Sequence, residues 1–155
     1  GLDSTTVLAL AAHKGYEIYC ISFDYGQRNR AELKFAKLNA KKYGAREHKI
    51  FKIELQQICK SSLTRHSEIP KNQNGKLKNN TLASTYVPAR NTIFNSIALG
   101  YAETVGAKVI FNGINHTDYS GYPDCRPEYI KAFEKVANLG TSYAAQGEKI
   151  KYVTP

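Results

Sequence analysis

The sequence predicts an α/β fold, with a mainly parallel sheet that carries helices on both faces. Short apolar segments rich in β-branched and aromatic residues alternate with segments whose apolar residues recur at helical spacing. Parallel strands need a crossover of about a dozen residues or more, so this alternation indicates strands linked by helices. Such sheets bind ligands at the carboxyl ends of their strands.

Four strands and four main helices are predicted in alternating order. The strands are expected at 18–23, 49–55, 109–111 and 150–153. The helices are expected at 7–12, 31–43, 93–105 and from Pro127 onward. The polar segment 56–80 has neither the periodicity of a strand nor that of a helix. It predicts a long excursion without regular secondary structure.

The helix ends carry recognisable signals. Asp3 or Ser4 is expected to cap the first helix, and Asn91 the third. Glycines that permit a left-handed conformation follow three of the helices, at Gly15, Gly44 and Gly106.

Length and composition favour one domain over residues 1–155, because 42% apolar residues suffice for a single core. No run approaches the roughly 18 apolar residues of a membrane span. Cys20, Cys59 and Cys125 are odd in number and widely spaced, which favours a reducing, cytoplasmic location. The chain has no methionine and opens on Gly1, so we expect a domain truncated at both ends.

The net charge of +9, from 22 basic and 13 acidic residues, would attract polyanions. RNA and nucleotide phosphates both fit this charge. Many of the lysines lie along helix faces, where a solvated surface explains them equally well.

The first candidate site is the opening segment Gly1-Leu2-Asp3-Ser4-Thr5-Thr6. The start of a helix offers unpaired N–H groups and the positive end of its dipole, which together can hold a phosphate. An ordinary helix cap is the alternative interpretation.

The second and third candidates follow a strand and precede a helix. In Asp24-Tyr25-Gly26-Gln27-Arg28, the glycine permits a turn that brings Gln27 and Arg28 to the sheet edge. A plain turn with an exposed arginine remains the alternative. Arg90, in Val87-Pro88-Ala89-Arg90-Asn91, could pair with phosphate or carboxylate through its guanidinium.

The segment 113–129 concentrates carboxylates, tyrosines, a histidine, a cysteine and an arginine. Aromatic rings can stack on a purine-like base, carboxylates can accept from its N–H groups, and an arginine can meet a carboxylate substituent. Cys125 has no local histidine partner in sequence, so a non-catalytic thiol is favoured. His116 is interpreted as a hydrogen-bonding loop residue rather than a metal ligand.

Taken in order, these motifs resemble the 7-cyano-7-deazaguanine synthase family of the queuosine pathway, along nearly the whole chain. The opening also resembles the Ser-Gly-Gly-x-Asp-Ser loop of the N-type ATP pyrophosphatases without its first two residues. The resemblance implies a Rossmann-like (HUP-type) sheet whose first strand, start of phosphate loop and C-terminal zinc region lie outside this chain.

The resemblance also implies an ATP-dependent ligase that converts 7-carboxy-7-deazaguanine and ammonia to the nitrile through adenylated intermediates. ATP with Mg²⁺ is the expected cofactor, and Zn²⁺ is expected only in the full-length protein, on cysteines absent here. A homodimer is expected, with small-molecule substrates and neither a membrane nor a nucleic acid as direct partner.

By this resemblance, ATP binding is assigned to Gly1, Leu2, Asp3, Ser4, Thr5, Thr6, Tyr25, Gly26, Gln27 and Arg28. Substrate binding is assigned to Asn91, Asn115, Asp118, Tyr119 and Tyr122. Catalytic roles are assigned to Arg90, Asp124 and Arg126.

Two alternatives stay open at this stage. A tRNA-modifying ATP pyrophosphatase that acts directly on RNA fits the positive charge, but not the tyrosine-rich segment. A non-catalytic nucleotide-binding sensor on the same sheet would bind ATP without turning it over.

Overall fold

The computed structural model describes residues 1–27, 31–57, 86–114 and 122–154 of the chain. The helices are α1 Leu2–His13, α2 Ala31–Lys42, α3 Arg90–Val105, α4 Pro127–Ala137 and the short α5 Ser142–Ala145. The strands are β1 Tyr19–Asp24, β2 Glu47–Lys52, β3 Val109–Phe111 and β4 Lys151–Val153. Two 3₁₀ turns occupy Leu55–Gln57 and Pro123–Cys125.

All strand pairing among the described residues is parallel, which confirms the α/β prediction. Strand β1 pairs with β2 from Tyr19 opposite Glu47 to Asp24 opposite Lys52, and β3 pairs with β4 from Val109 opposite Lys151. The two pairs form separate two-stranded sheets in the part of the chain that the structure describes. Strand β1 therefore has no ladder partner from β3.

The prediction that Asp3 or Ser4 caps the first helix is wrong. Helix α1 begins at Leu2 with Gly1 as its N-cap, so Asp3 and Ser4 lie inside the first turn. The helix begins before Val7, where the sequence predicted its start, because hydrogen bonds within the first turn stabilise it. The hydroxyls of Thr5 and Thr6 donate to the carbonyls of Gly1 and Leu2, at 2.9 and 3.0 Å.

The predicted helix stops are confirmed in the backbone. Gly15, Gly44 and Gly106 all have positive φ, between 71° and 74°. Helix α3 ends in a left-handed cap at Gly106, whose N–H returns to carbonyls of the last turn. Pro127 occupies the first turn of α4, where its missing N–H costs nothing.

The larger buried cluster surrounds β3, β4 and α4. Along α4, Ile130, Phe133 and Ala137 are buried at helical spacing. The other members of the cluster are Ala102, Ile114, Cys125, Tyr143, Ile150 and Tyr152. A smaller cluster of Leu55 and Val87 lies under the carboxyl end of β1, with Tyr25 and Phe94 packed against it. None of the described helices is both long and apolar enough to cross a bilayer.

Candidate active site

A cavity of about 480 Å³ opens at the carboxyl ends of β1 and β3. Its polar end is lined by Gly1, Ser4, Gln27, Asn91, Asn112 and Gly113. Its other end, called here the interstrand groove, is lined by every residue of 18–23 and of 109–111. Because strand side chains alternate between faces, a space lined by consecutive residues must lie along the strand edges. The groove therefore separates β1 from β3 edge to edge.

The start of α1 lies at the polar end of the cavity. The first backbone bond of the helix runs from the N–H of Thr5 to the carbonyl of Gly1, at 3.2 Å. Like the start of any α-helix, this one leaves its earliest N–H groups without intrahelical partners, and these can bind an anion. Gly1, Ser4 and Thr5 line the cavity, whereas Leu2, Asp3 and Thr6 are outside its lining.

Thr5 is held in place by α2. Its hydroxyl oxygen accepts from the side-chain amide of Asn39 at 3.0 Å while it donates to the carbonyl of Gly1. This contact fixes the start of α1 against the neighbouring helix.

Gly113 brings the end of β3 against the same turn. A Cβ atom added at this glycine would lie 3.1 Å from the backbone nitrogen of Ser4 and 3.3 Å from the carbonyl carbon of Asp3. A side chain at this position would require the first turn of α1 to shift by a few tenths of an ångström. The position of the start of α1 therefore depends on the turn after β3.

The predicted turn after β1 forms, and Gln27 closes it. Gly26 has φ +79°, and the Gln27 side chain accepts from the N–H of Tyr25 at 2.9 Å. Its amide also donates to the carbonyl of Phe23 at 3.1 Å, and the residue is buried. Gln27 thus holds the backbone of the turn, while Tyr25 lines the cavity.

The cap of α3 is supplied from a distant part of the chain. The expectation that Asn91 caps this helix is wrong, because the N-cap is Ala89, with φ 53°, and Asn91 lies in the first turn. The Asp124 carboxylate accepts from the backbone N–H of Asn91 at 3.0 Å. The Asn91 amide in turn donates weakly to Asp124 O and Cys125 Sγ, at 3.4 and 3.3 Å.

The three residues assigned to catalysis differ in exposure. Asp124 is 6% exposed, and its Oδ1 is buried without a hydrogen-bond partner. Arg90 is half-buried in the first turn of α3, and Arg126 is exposed as the N-cap of α4. The buried carboxylate is thus stabilised on one oxygen by the start of α3, and its other oxygen has no partner.

Two tyrosines lie next to this cap. The rings of Tyr86 and Tyr122 are 6.3 Å apart, and the Tyr86 hydroxyl accepts from the N–H of Ala89 at 3.3 Å. Tyr122 belongs to the predicted substrate-binding set, whereas Tyr86 was not selected from the sequence. Arg28, Asn115, Asp118 and Tyr119 lie outside the described residues.

Titratable groups also line the interstrand groove. The Ser22 hydroxyl and His48 Nε2 are 2.9 Å apart, on adjacent strands. Burial, with a smaller contribution from the charge of Lys37, lowers the pKa of His48, and burial raises the pKa of the Cys20 thiol. Both shifts favour neutral groups in the groove. Among the described residues, no three histidine, cysteine or acidic side chains cluster to hold a metal.

Parallel strands whose carboxyl ends meet a helix N-terminus at a cavity define the architecture of a nucleotide-binding α/β protein. A family model described as "Queuosine biosynthesis protein QueC" matches residues 1–155. The chain belongs to this family, which lies in the adenine nucleotide alpha hydrolase-like (HUP) superfamily.

Curated relatives share about half of their residues with the chain. The 7-cyano-7-deazaguanine synthase of Cellvibrio japonicus is 53% identical over the full chain and 67% of its own length. Those of Geotalea uraniireducens and Rickettsia akari are 55% and 52% identical, over 95% and 100% of the chain. The chain spans 63% and 69% of the lengths of these two relatives. The family is thus one of enzymes.

Proposed function

We propose that this chain provides the ATP-binding and acid-binding surfaces of an ATP-dependent ligase that makes 7-cyano-7-deazaguanine from 7-carboxy-7-deazaguanine and ammonia. The observation that carries the proposal is the shared cavity. The start of α1, through Gly1 and Ser4, and the first turn of α3, through Asn91, line the same space. A nucleotide on one helix would therefore face an acid near the other.

The chemistry requires such an arrangement. A carboxylate is a poor acceptor for ammonia until one of its oxygens is attached to a good leaving group, which adenylation by ATP supplies. The resulting amide needs a second activation before it can lose water to become the nitrile. Placing the two reactants side by side, and stabilising the charge that develops, provide most of the rate acceleration.

The chain's own groups have distinct parts in this scheme. The free N–H groups at the start of α1 would bind ATP phosphates. Arg90 and Arg126 would neutralise the charge on the acid and the phosphates, and Tyr122 would stack on the deazapurine ring. Asp124 is buried and accepts from the Asn91 N–H in the first turn of α3, so it would act chiefly by holding that turn against the 122–126 turn.

Mg²⁺ would enter with the nucleotide, since this ion is usually held by phosphates with one or two carboxylates from the protein. Its contribution is to offset phosphate charge. The described residues fit a Zn²⁺ site poorly, because Cys20 and Cys125 belong to no cluster of metal-binding side chains. A Zn²⁺ site in a part of the full-length protein outside this chain stays a proposal from the resemblance.

We also propose that a further strand of the longer protein occupies the interstrand groove. The groove is bounded by the unpaired edges of β1 and β3, and all six residues of β1 are half-buried although most are apolar. A strand placed there would pair with both edges and end beside Gly1, where it would supply the rest of the phosphate loop. The expected single domain, its homodimer and its cytoplasmic location belong to the same proposal.

The function is tested by supplying the full-length protein with 7-carboxy-7-deazaguanine, ammonia and ATP, and following the products by mass spectrometry. We expect the nitrile to accumulate together with cleavage of ATP. If neither product nor ATP cleavage occurs, the proposed activity is wrong. A titration with RNA at several salt concentrations tests the alternative of direct action on RNA, which predicts a steep salt slope.

The assignment of the pocket is tested with Arg126→Ala. We expect this variant to weaken use of the acid more than binding of ATP, because Arg126 lies beside the 122–125 turn rather than beside α1. Arg46→Ala is a matched control, since Arg46 is also exposed but lies at the start of β2. Loss of ATP affinity alone in Arg126→Ala would contradict the assignment.

A further inference from the structure

Four side chains form a continuous chain of hydrogen bonds beside the cavity, and two of them, Asn95 and Asn112, line it. The amide of Asn112 donates to Asn95 Oδ1 at 2.7 Å, and the amide of Asn95 donates to the Tyr129 hydroxyl at 3.4 Å. The Tyr129 hydroxyl then donates to Thr92 Oγ1 at 3.1 Å. Each bond uses a donor on one side chain and an acceptor on the next, so the chain has one direction throughout.

Asn95 is the centre of this chain and is only 2% exposed. Burial of an amide costs free energy unless its hydrogen-bonding groups are satisfied, and here both ends of the amide have partners. The Asn95 backbone carbonyl also accepts from the Tyr152 hydroxyl, at 3.5 Å. An apolar residue at this position of α3 would need no hydrogen-bond partners. The asparagine therefore favours the one arrangement of α3, β3 and α4 in which its amide is satisfied.

Two members of the chain, Asn112 and Tyr129, lie next to different parts of the candidate site. Asn112 precedes Gly113, whose backbone lies against Ser4 at the start of α1. Tyr129 lies in the first turn of α4, the helix that begins directly after Arg126. The hydrogen bonds therefore connect the nucleotide side to the acid side through α3.

We propose that Asn95 and Tyr129 are positioning residues that fix the distance and orientation between bound ATP and the bound acid. This inference rests on the proposed ligase function. Neither side chain needs to touch the reacting atoms: Tyr129 is outside the cavity lining, and Asn95, which lines it, uses both ends of its amide within the hydrogen-bonded chain. Each substrate keeps its own binding groups when the chain is broken, but the two reactants are no longer aligned.

The test compares Tyr129→Phe with the wild type in the full-length protein. We expect kcat to fall at least about tenfold, because misplacement of about 1 Å can cost a hundredfold in rate. The KM values for ATP and for the acid should each change less than about threefold, because the binding groups are intact. Asn95→Leu should lower kcat similarly, and the double variant should be no worse than Asn95→Leu alone, because both changes break the same chain.

Tyr143→Phe is the matched control. Tyr143 is more deeply buried than Tyr129, and its hydroxyl donates to the carbonyls of Ala102 and Ala107, at 3.2 Å each. Both alanines line the cavity, but neither lies at its polar end. This variant should lower the unfolding midpoint at least as much as Tyr129→Phe, because its hydroxyl is more deeply buried, while kcat stays within twofold of the wild type. If Tyr129→Phe also keeps its kcat within twofold, the positioning role is wrong.

Hydrogen exchange separates this inference from the proposed activity. Addition of ATP should slow exchange at the start of α4 in the wild type and in Tyr143→Phe, but not in Tyr129→Phe. Absence of that slowing in a wild type that binds ATP contradicts the positioning role, whether or not nitrile forms. Absence of nitrile with the slowing intact contradicts only the ligase function.

Discussion

The two halves of the described chain differ in how they are held together. In the C-terminal half, which is described over residues 86–114 and 122–154, β3, β4 and α4 share one continuous buried cluster. This cluster includes Phe133, Ile150 and Tyr152. In residues 1–57, the N-terminal half, the buried apolar residues are few and mostly small, and β1 is half-exposed along its length. Burial of apolar surface is the main stabilising contribution to folding, so the C-terminal half should be the more stable part.

This difference matches a difference in how the site is built. In the C-terminal half, partly buried hydrogen bonds between side-chain amides and hydroxyls join the end of β3 to α3 and α4. In the N-terminal half, the groups that can bind an anion are the backbone N–H groups at the start of α1. We infer that the C-terminal half provides the rigid reference against which the nucleotide-binding half is aligned.

Replacing one phenylalanine in each half should give the largest effect. Phe133→Ala is expected to destabilise the protein by about 3–5 kcal/mol, because Phe133 is 8% exposed and its ring packs on Tyr152 at 5.5 Å. Phe23→Ala should cost less, about 1–2 kcal/mol, because Phe23 is half-buried although it stacks on Phe94. Urea unfolding of both variants measures the contrast, and equal costs would contradict the comparison between the halves.

A glycine pair tests the contact between the halves. Gly113→Ala should weaken ATP binding about tenfold, roughly 1.4 kcal/mol, because its Cβ would push the first turn of α1 away. The matched change Gly100→Ala, in α3, meets nothing within 4 Å and should leave ATP affinity unchanged. It should also stabilise the protein by about 0.5–1 kcal/mol, as in other helix interiors. Calorimetric titration with ATP is the measurement, and equal affinities in the two variants would contradict the contact.

The elements with a strong local signal were predictable from the sequence. Strand β3 has the predicted bounds, and Pro127, Gly44 and Gly106 mark helix ends as expected. Each of these depends on φ preferences or on side-chain periodicity within a few residues. The order of the candidate motifs also led to the family that the comparisons establish.

What depended on distant contacts was not predictable. The cap of α3 comes from Asp124, more than thirty positions along the chain, so the local rule selected Asn91 instead. Asn95 was missed because it lies within an apolar helical stripe. An asparagine at such a position was a usable signal, since it must find buried partners. Its partners Asn112 and Tyr129 come from β3 and α4, which only the fold brings together.

A smaller effect should appear in the pH dependence of the N-terminal half. The pKa of His48 is lowered in the folded protein, so folding favours its neutral form. Its contribution to stability is complete above the unfolded-state pKa and is lost as the pH falls through that value toward the folded-state pKa. His48→Gln should flatten the decline of the unfolding midpoint between about pH 7 and 5, values that bracket the usual histidine pKa.

Lys37→Gln provides the comparison for His48. Removal of this charge should reduce only the smaller cause of the pKa shift, because burial is the larger one. An unchanged acid profile in His48→Gln would show that other groups dominate the pH response.

The smallest effect should come from the exposed ion pair between Arg46 and Glu17, whose atoms are 2.9 Å apart. Both side chains are more than half exposed, so solvent and salt screen the attraction. We expect Arg46→Gln to leave the unfolding midpoint unchanged within experimental error. A clear loss of stability would mean that the surface of the N-terminal half compensates for its few buried residues.

Hydrogen exchange of the full-length protein with each substrate added separately gives the most direct test of how the site is divided. ATP should slow exchange most strongly in residues 1–6, at the start of α1. 7-Carboxy-7-deazaguanine should slow it most strongly in residues 122–126 and at the start of α3. The reverse pattern, or protection of neither segment by its own ligand, would contradict a site in which the first helix binds the nucleotide and the Asp124 turn, which contacts Asn91 at the cavity wall, faces the acid.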